Sequence, residues 1–245
     1  MGRAKEIIVK VIPAKVANDF VKKHHYSKSF VQNSVLHFGA FLDGKLHGVL
    51  QYGNSIDKRN CIGFVDTGLT ENQGWNTFLE LNRMAFDDYL PKYSESRCIA
   101  ISIKLIKKNA PHIKWLLSYA DGTQCGDGTI YRASGFYLCG INKNSTIYEL
   151  KDGTSKAKHG TSKVDFTGAK RKEGNQFRYI YLIDKNCKIT VPILPFNKID
   201  ELNVGMYKGK NISLAERKKI DLCKQETKLD GKLTENSENE FLDKI

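Results

Sequence analysis

A mixed α/β fold, a central sheet flanked by helices, is predicted by three features of this 245-residue chain. The chain opens on an alternating, β-branched run followed by a helical stretch. Asp43-Gly44 sits between two apolar runs, the strongest short-range hairpin signal available. Two further strand-like runs, 78–86 and 115–120, are separated by a helix-length segment, the spacing of a strand–helix–strand crossover.

Taken in order, residues 6–12 alternate and end at Pro13, so a strand is followed by a helix over 13–24. Residues 36–42 and 46–53 form the antiparallel pair around Asp43-Gly44. Residues 78–86 are a strand after the turn-like Glu71-Asn72-Gln73-Gly74. The stretch 94–109 carries both strand-like and helical spacing. Its length, its serine-rich start and its end in Lys107-Lys108-Asn109, cations where the helix dipole favours them, decide for a helix. Residues 115–120 form a short buried strand and 129–134 a short helix closed by Gly135. Residues 136–141 and 146–150 are expected to form a second hairpin-like pair. Residues 151–174, rich in Lys, Gly, Ser and Thr, are expected as a mobile basic loop, and 177–183 as a strand. The body ends near 195. Residues 196–245 are a C-terminal extension with one surface helix near 213–228, where Ser213 and Glu216 make a capping box, and a disordered end.

A hydrophobic content of 40% supports a full core, and the net charge of +12 would repel itself unless met by a polyanion. Nucleic acid is therefore the first partner expected, with simple solvation of a lysine-rich surface as the alternative. Six dispersed cysteines lack CxxC spacing and read as reduced thiols. The N-terminus has no apolar leader and no run is long enough to span a membrane, which places the chain in a reducing cytoplasm.

The element order, with strands 78–86 and 115–120 bridged by a helix and followed by a second helix and strand, resembles that of the GNAT acyltransferases. Their glycine-rich pyrophosphate turn would fall at Pro91-Lys92-Tyr93-Ser94-Glu95-Ser96-Arg97, which holds no glycine, so acetyl-coenzyme A is doubtful as cofactor. A second set is more specific: Leu79-Glu80-Leu81-Asn82-Arg83, Pro91 with Glu95-Ser96, Ser118-Tyr119-Ala120-Asp121, and Gly128-Thr129-Ile130-Tyr131-Arg132-Ala133. With His25-Tyr26-Ser27, Phe38-Gly39-Ala40-Phe41 and Gly48-Val49-Leu50-Gln51-Tyr52-Gly53 before it, and a weaker echo at Arg178-Tyr179-Ile180-Tyr181, the ordered set resembles the Mom family of phage DNA adenine-modification proteins. The resemblance spans residues 20–150. It implies a GNAT-related fold and transfer of a carbamoylmethyl-type group to N6 of adenine in duplex DNA in the bacterial host cytoplasm, shielding phage DNA from restriction. It departs at Cys125-Gly126-Asp127, where the family carries Gly-His, so that histidine's role does not transfer.

The candidate residues each carry a plainer alternative. Arg83 alternates with Leu79 and Leu81, and a buried guanidinium needs an anion. It either binds a donor or a nucleotide phosphate, or pairs with Glu80 or Asp87. Asp121 ends a strand where parallel strands separate; it is a proton acceptor or metal ligand, or a turn-starting Asp before Gly122. Tyr131 can donate a hydrogen bond or stack on a base, or it is a core tyrosine. Ser96 helps hold the donor or only caps a helix. His25 and Tyr26, which match the family pattern, suit proton transfer or iron binding, or are exposed at a helix end. With Asp121 they are the metal candidates; otherwise the cofactor implied is an activated acyl or aminoacyl donor. Lys163, Lys170, Arg171 and Lys172, with Lys156, Lys158, Arg217, Lys218 and Lys219, would grip DNA phosphates or be a solvated charge run. Adenine N6 is conjugated and paired, so the base must be extruded. An acetyl-coenzyme A-dependent N-acetyltransferase and a non-catalytic DNA-binding protein are the competing classes.

Overall fold

A computed structural model describes residues 2–123, 126–144, 146–158, 164–202, 206–207 and 210–211. A short 3-10 turn at Arg3–Glu6 leads into β1 (Ile8–Val11). Then come α1 (Ala14–His24), with Pro13 at its N-cap, β2 (Ser34–Leu42) and β3 (Lys45–Gly53). The β2–β3 turn places Asp43 at φ 51° and Gly44 at φ 75°, the paired left-handed conformation that Asp-Gly adopts cheaply and that matches strand twist. Small elements follow, α2 (Lys58–Cys61), β4 (Val65–Asp66) and α3 (Glu71–Gly74). Next are β5 (Phe78–Phe86), α4 (Ser94–Asn109), β6 (Trp115–Asp121), α5 (Thr129–Ala133) and β7 (Tyr137–Lys143). The chain continues through β8 (Ile147–Glu149), β9 (Ser155–Ala157), β10 (Lys170–Arg171), β11 (Asn175–Leu182), β12 (Lys188–Ile189) and α6 (Asn197–Asp200).

The main sheet has seven strands in the order β1-β2-β3-β5-β6-β11-β7. Only β5 and β6 run parallel, as the crossover through α4 requires, and they pair only from Phe78↔Trp115 to Leu81↔Ser118. Beyond that point the two strands part. On one face α4 buries Cys98, Ile99, Ile103 and Ile106 against Leu79, Leu81, Leu116 and Tyr179. The Tyr52 hydroxyl bonds the Ser102 hydroxyl at 2.7 Å, tying sheet to helix. On the other face α1 covers Val49 and Ala85, and Trp115 stacks on Phe78 at 4.2 Å. Cys61, Cys98, Cys139 and Cys187 are buried free thiols. Among the described residues no helix is long and apolar enough to cross a membrane.

Three expectations are corrected. Strand β7 does not pair with β8; it pairs with β11, from Lys143↔Asn175 onward. Asn144 donates its backbone N–H to Gly174 O (2.8 Å) and accepts the Thr146 N–H on its side-chain oxygen (3.1 Å), turning the chain away. Second, the 151–174 segment is not all loop. A turn at Asp152-Gly153, with Gly153 at φ 78° and Asp152 bonded to Thr154, reverses β8 into β9, and β10 closes a three-stranded sheet in the order β10-β8-β9. Third, Arg83 does not share a face with Leu79 and Leu81. The β3–β5 register shifts between Gln51 and Tyr52, which face Arg83 and Leu81, so Asn82 is an extra residue. Past it the parity inverts: Met84 and Phe86 join the core of Leu79 and Leu81, while Arg83 moves to the side of Glu80. At the C-terminal end, α6 seats Ile199 in the core and Phe196 under the Arg132 guanidinium (4.8 Å). The helix expected at 213–228 and the polar end lie outside the described residues.

Candidate active site

Where β5 and β6 diverge, the gap is a two-lobed cavity of about 350 and 310 Å³, within the range of small-ligand sites. Tyr26, Leu81, Asn82, Arg83 and Tyr119 line both lobes. The first lobe adds His25 and the segment Gly126–Tyr131; the second adds Glu80, Asp121 and residues of the β8–β9 insert.

Arg83 reaches back across the cavity wall. Its Nε donates to Ser29 O (3.1 Å) and an Nη to Asn82 O (2.7 Å). Among the described residues it makes no ion pair with Glu80 or Asp87; Asp87 instead bonds His47 at 2.8 Å. His25, 8% exposed, accepts the Ser27 N–H at Nδ1 (3.1 Å), with the Ser27 hydroxyl at 2.8 Å. Burial, then the charges of Arg83 and Lys28, push its pKa down to about 3. At neutral pH it is an uncharged ring with Nδ1 committed as acceptor, which makes it a poor proton acceptor. Its ring packs 4.2 Å from Tyr26, which is 48% exposed at the cavity rim.

Tyr131 leans on Tyr179 (5.2 Å) and Phe136 (5.5 Å), which fixes its ring while leaving it in the first lobe. The preceding turn is held by Asp127, whose Oδ1 accepts the Thr129 N–H (2.9 Å) and hydroxyl (2.6 Å), and by the Tyr179 hydroxyl on Asp127 O. Gly128 is required there: at φ 75° a Cβ would lie 2.5 Å from the Tyr179 ring.

Asp121 lines the second lobe, but its Oδ1 accepts the Thr123 N–H (2.9 Å), the Thr123 hydroxyl (2.6 Å) and Asn144 Nδ2 (3.2 Å). It holds two buried polar residues in a turn. Asp121→Ala is therefore expected to lower stability by ~1–3 kcal/mol, the cost of stranding buried partners, measured as a lower denaturation midpoint. Ser96 is not brought to the cavity; its hydroxyl donates to Tyr93 O at 3.3 Å. The turn ahead of α4 does not fit a pyrophosphate. It holds no glycine, Tyr93 takes the left-handed position at φ 71°, and the Ser94 hydroxyl is spent on Pro91 O. Of the iron candidates, His25 lines the first lobe, Asp121 the second and Tyr26 both; among the described residues no three of His, Cys, Asp and Glu converge.

Of the basic candidates, Lys170 and Arg171 are exposed on β10, and Lys172 is held by Glu149 (3.6 Å) and Ser155 (3.4 Å). Lys163 lies outside the described residues. Sequence reasoning missed two groups. Glu80 sits in the second lobe with its carboxyl pushed above the usual range by burial, opposed by the Ser55 hydroxyl and Arg83. Tyr119 lies between the lobes with its hydroxyl 3.8 Å from Cys61 Sγ and its phenol pushed up by burial. Both lie within the motifs that carried the resemblance.

A parallel strand pair that parts over a cavity, joined by a helical crossover in a mixed sheet, makes this a mixed-sheet α/β protein with its candidate site at the strand split. The chain belongs to the Mom protein family, whose sequence model matches residues 6–198. It is 35% identical over 198 residues to the methylcarbamoylase Mom of Escherichia phage Mu, a match covering 76% of this chain and 79% of that protein. Among solved structures it is similar to a GNAT acetyltransferase from Elizabethkingia anophelis with acetyl-CoA bound (TM-score 0.44, 14% identity, 72% of this chain and 97% of that one). It is also similar to a spermidine/spermine N-acetyltransferase from Vibrio cholerae (TM-score 0.45, 9% identity, 76% and 97%).

Proposed function

We propose that this chain is a transferase that places a carbamoylmethyl-type group on N6 of adenine in double-stranded DNA, in the cytoplasm of a bacterial host, and so protects phage DNA from restriction. The observation that carries this reading is the two-lobed cavity at the β5–β6 split, lined by Arg83, His25, Tyr26 and Tyr131 in a member of this family.

An extruded adenine, released from the duplex at a cost of a few kcal/mol, enters the first lobe, where Tyr131 and Tyr26 offer ring faces. N6 gives up a proton as its bond to the incoming carbon forms and the donor's leaving group departs. Glu80, which lines the adjoining lobe, is the proton acceptor we assign, because burial raises its proton affinity while Asp121 Oδ1 already accepts hydrogen bonds from Thr123 and Asn144. Arg83 supplies the fixed positive charge of both lobes. His25, neutral, positions Tyr26 and the turn beside it. For this product the donor must present the methylene carbon of the carbamoylmethyl group to N6, with the leaving group on that carbon departing with the bonding pair. An acyl or aminoacyl donor attacked at its carbonyl carbon gives an N6-amide, which reaches the product only through a further rearrangement. Lys170 and Arg171 of the insert meet the DNA backbone.

DNA from cells expressing the chain, digested to nucleosides, is expected to contain a heavier deoxyadenosine by mass spectrometry. Unmodified nucleosides from cells holding abundant folded protein overturn the reading. An acetylated amine or protein in their place returns the acetyl-coenzyme A alternative.

A further inference from the structure

The segment that leaves α1 exposes two carbonyls in quick succession, because Lys28 takes a left-handed φ of 50° and turns the chain between Ser27 and Ser29. Ser29 O accepts Arg83 Nε at 3.1 Å. Ser27 O accepts Lys156 Nζ at 3.4 Å, from a residue 129 positions away on β9 of the insert. Both cations line the second lobe, and both are half-buried. Among the described residues neither makes an ion pair with a carboxylate within 4 Å; Glu80 and Asp152 act on them only through space. Two like charges hung from one turn in a partly desolvated chamber repel and lose hydration, an arrangement that an anion between them stabilises.

We infer that Arg83 and Lys156 form a two-cation clamp for a phosphodiester flanking the extruded nucleotide, with the inserted sheet supplying one jaw. This rests on the function proposed above. The insert adds little to the main core, yet it is braced where it meets the cavity: Lys172 bonds Ser155 beside Lys156. Ser155 lines the same lobe. A phosphate in the second lobe would leave the attached base free to reach the first.

The test is a salt titration of the binding of a short DNA duplex to the full chain, with no donor present. Lys156→Ala is expected to reduce the log–log salt slope by about 0.9, the loss of one phosphate contact. Lys156→Arg keeps the slope, and Lys107→Ala, exposed at the end of α4, leaves it unchanged. A wild-type slope for a folded Lys156→Ala protein overturns the clamp. So does a weaker response to the donor with unaltered DNA binding, which assigns the phosphate to the donor. Because the assay needs no turnover, its outcome is separate from whether the DNA is modified.

Discussion

Arg83→Ala is expected to cut the yield of modified deoxyadenosine by on the order of 10²- to 10³-fold, the scale on which the loss of a preorganised charged donor in a partly desolvated site is felt. Three losses coincide at that position. The positive charge shared by both lobes disappears, the Ser29 carbonyl loses its donor, and the turn carrying His25 and Tyr26 loses its tie to β5. The side chain is half-exposed and packs no core, so cooperative unfolding should persist. Arg83→Lys retains a charge but not the fork that reaches two carbonyls, and an intermediate yield is expected. Nucleoside mass spectrometry paired with a denaturation curve measures both. If Arg83→Ala shifts only the denaturation midpoint, the residue is structural.

The elements that the sequence announces are those whose signals are local. Residues 78–86 and 94–109 coincide with β5 and α4 because each carries a complete local pattern, and Asp43-Gly44 turns where its backbone preferences demand. Pairing is different. Residues 136–141 and 146–150 look like a hairpin to any local reading, but β11 competes for β7 from more than thirty residues away, and no local pattern reports that competition. Nor does anything in Leu81-Asn82-Arg83 mark Asn82 as a bulge; the register slip depends on β3 opposite, and it decides which way the guanidinium faces. At the cavity, the ordered motifs point to His25, Tyr26, Arg83 and Tyr131, all of which line the first lobe. Asp121 and Ser96 also fall within those motifs, yet short polar side chains beside turns satisfy neighbouring backbone first. Glu80 was passed over for the opposite reason: three residues before an arginine, a glutamate suggests an ion pair, and only the fold reveals that it lines the cavity without one.

Glu80→Gln should separate chemistry from architecture more cleanly than any other change. Burial favours the protonated carboxyl in the folded chain, so Glu80 contributes stability below its unfolded pKa and loses it as pH rises through the raised folded value. Once ionised, the side chain is a cost to the fold, and a neutral glutamine of the same shape should leave the protein at least as stable. Activity has the opposite dependence: the proton acceptor must be ionised, so modification should rise with pH through the raised pKa and level off above it. Removing that acceptor is expected to lower the rate by on the order of 10²–10⁴ and to flatten the acid limb of the profile. Asp121→Asn, which keeps the size of a side chain already bonded to Thr123 and Asn144, should retain the wild-type pH dependence. The assignment fails if Glu80→Gln modifies DNA at the wild-type rate, or if Asp121→Asn is the variant that loses the acid limb, because proton transfer would then run through the turn at the end of β6.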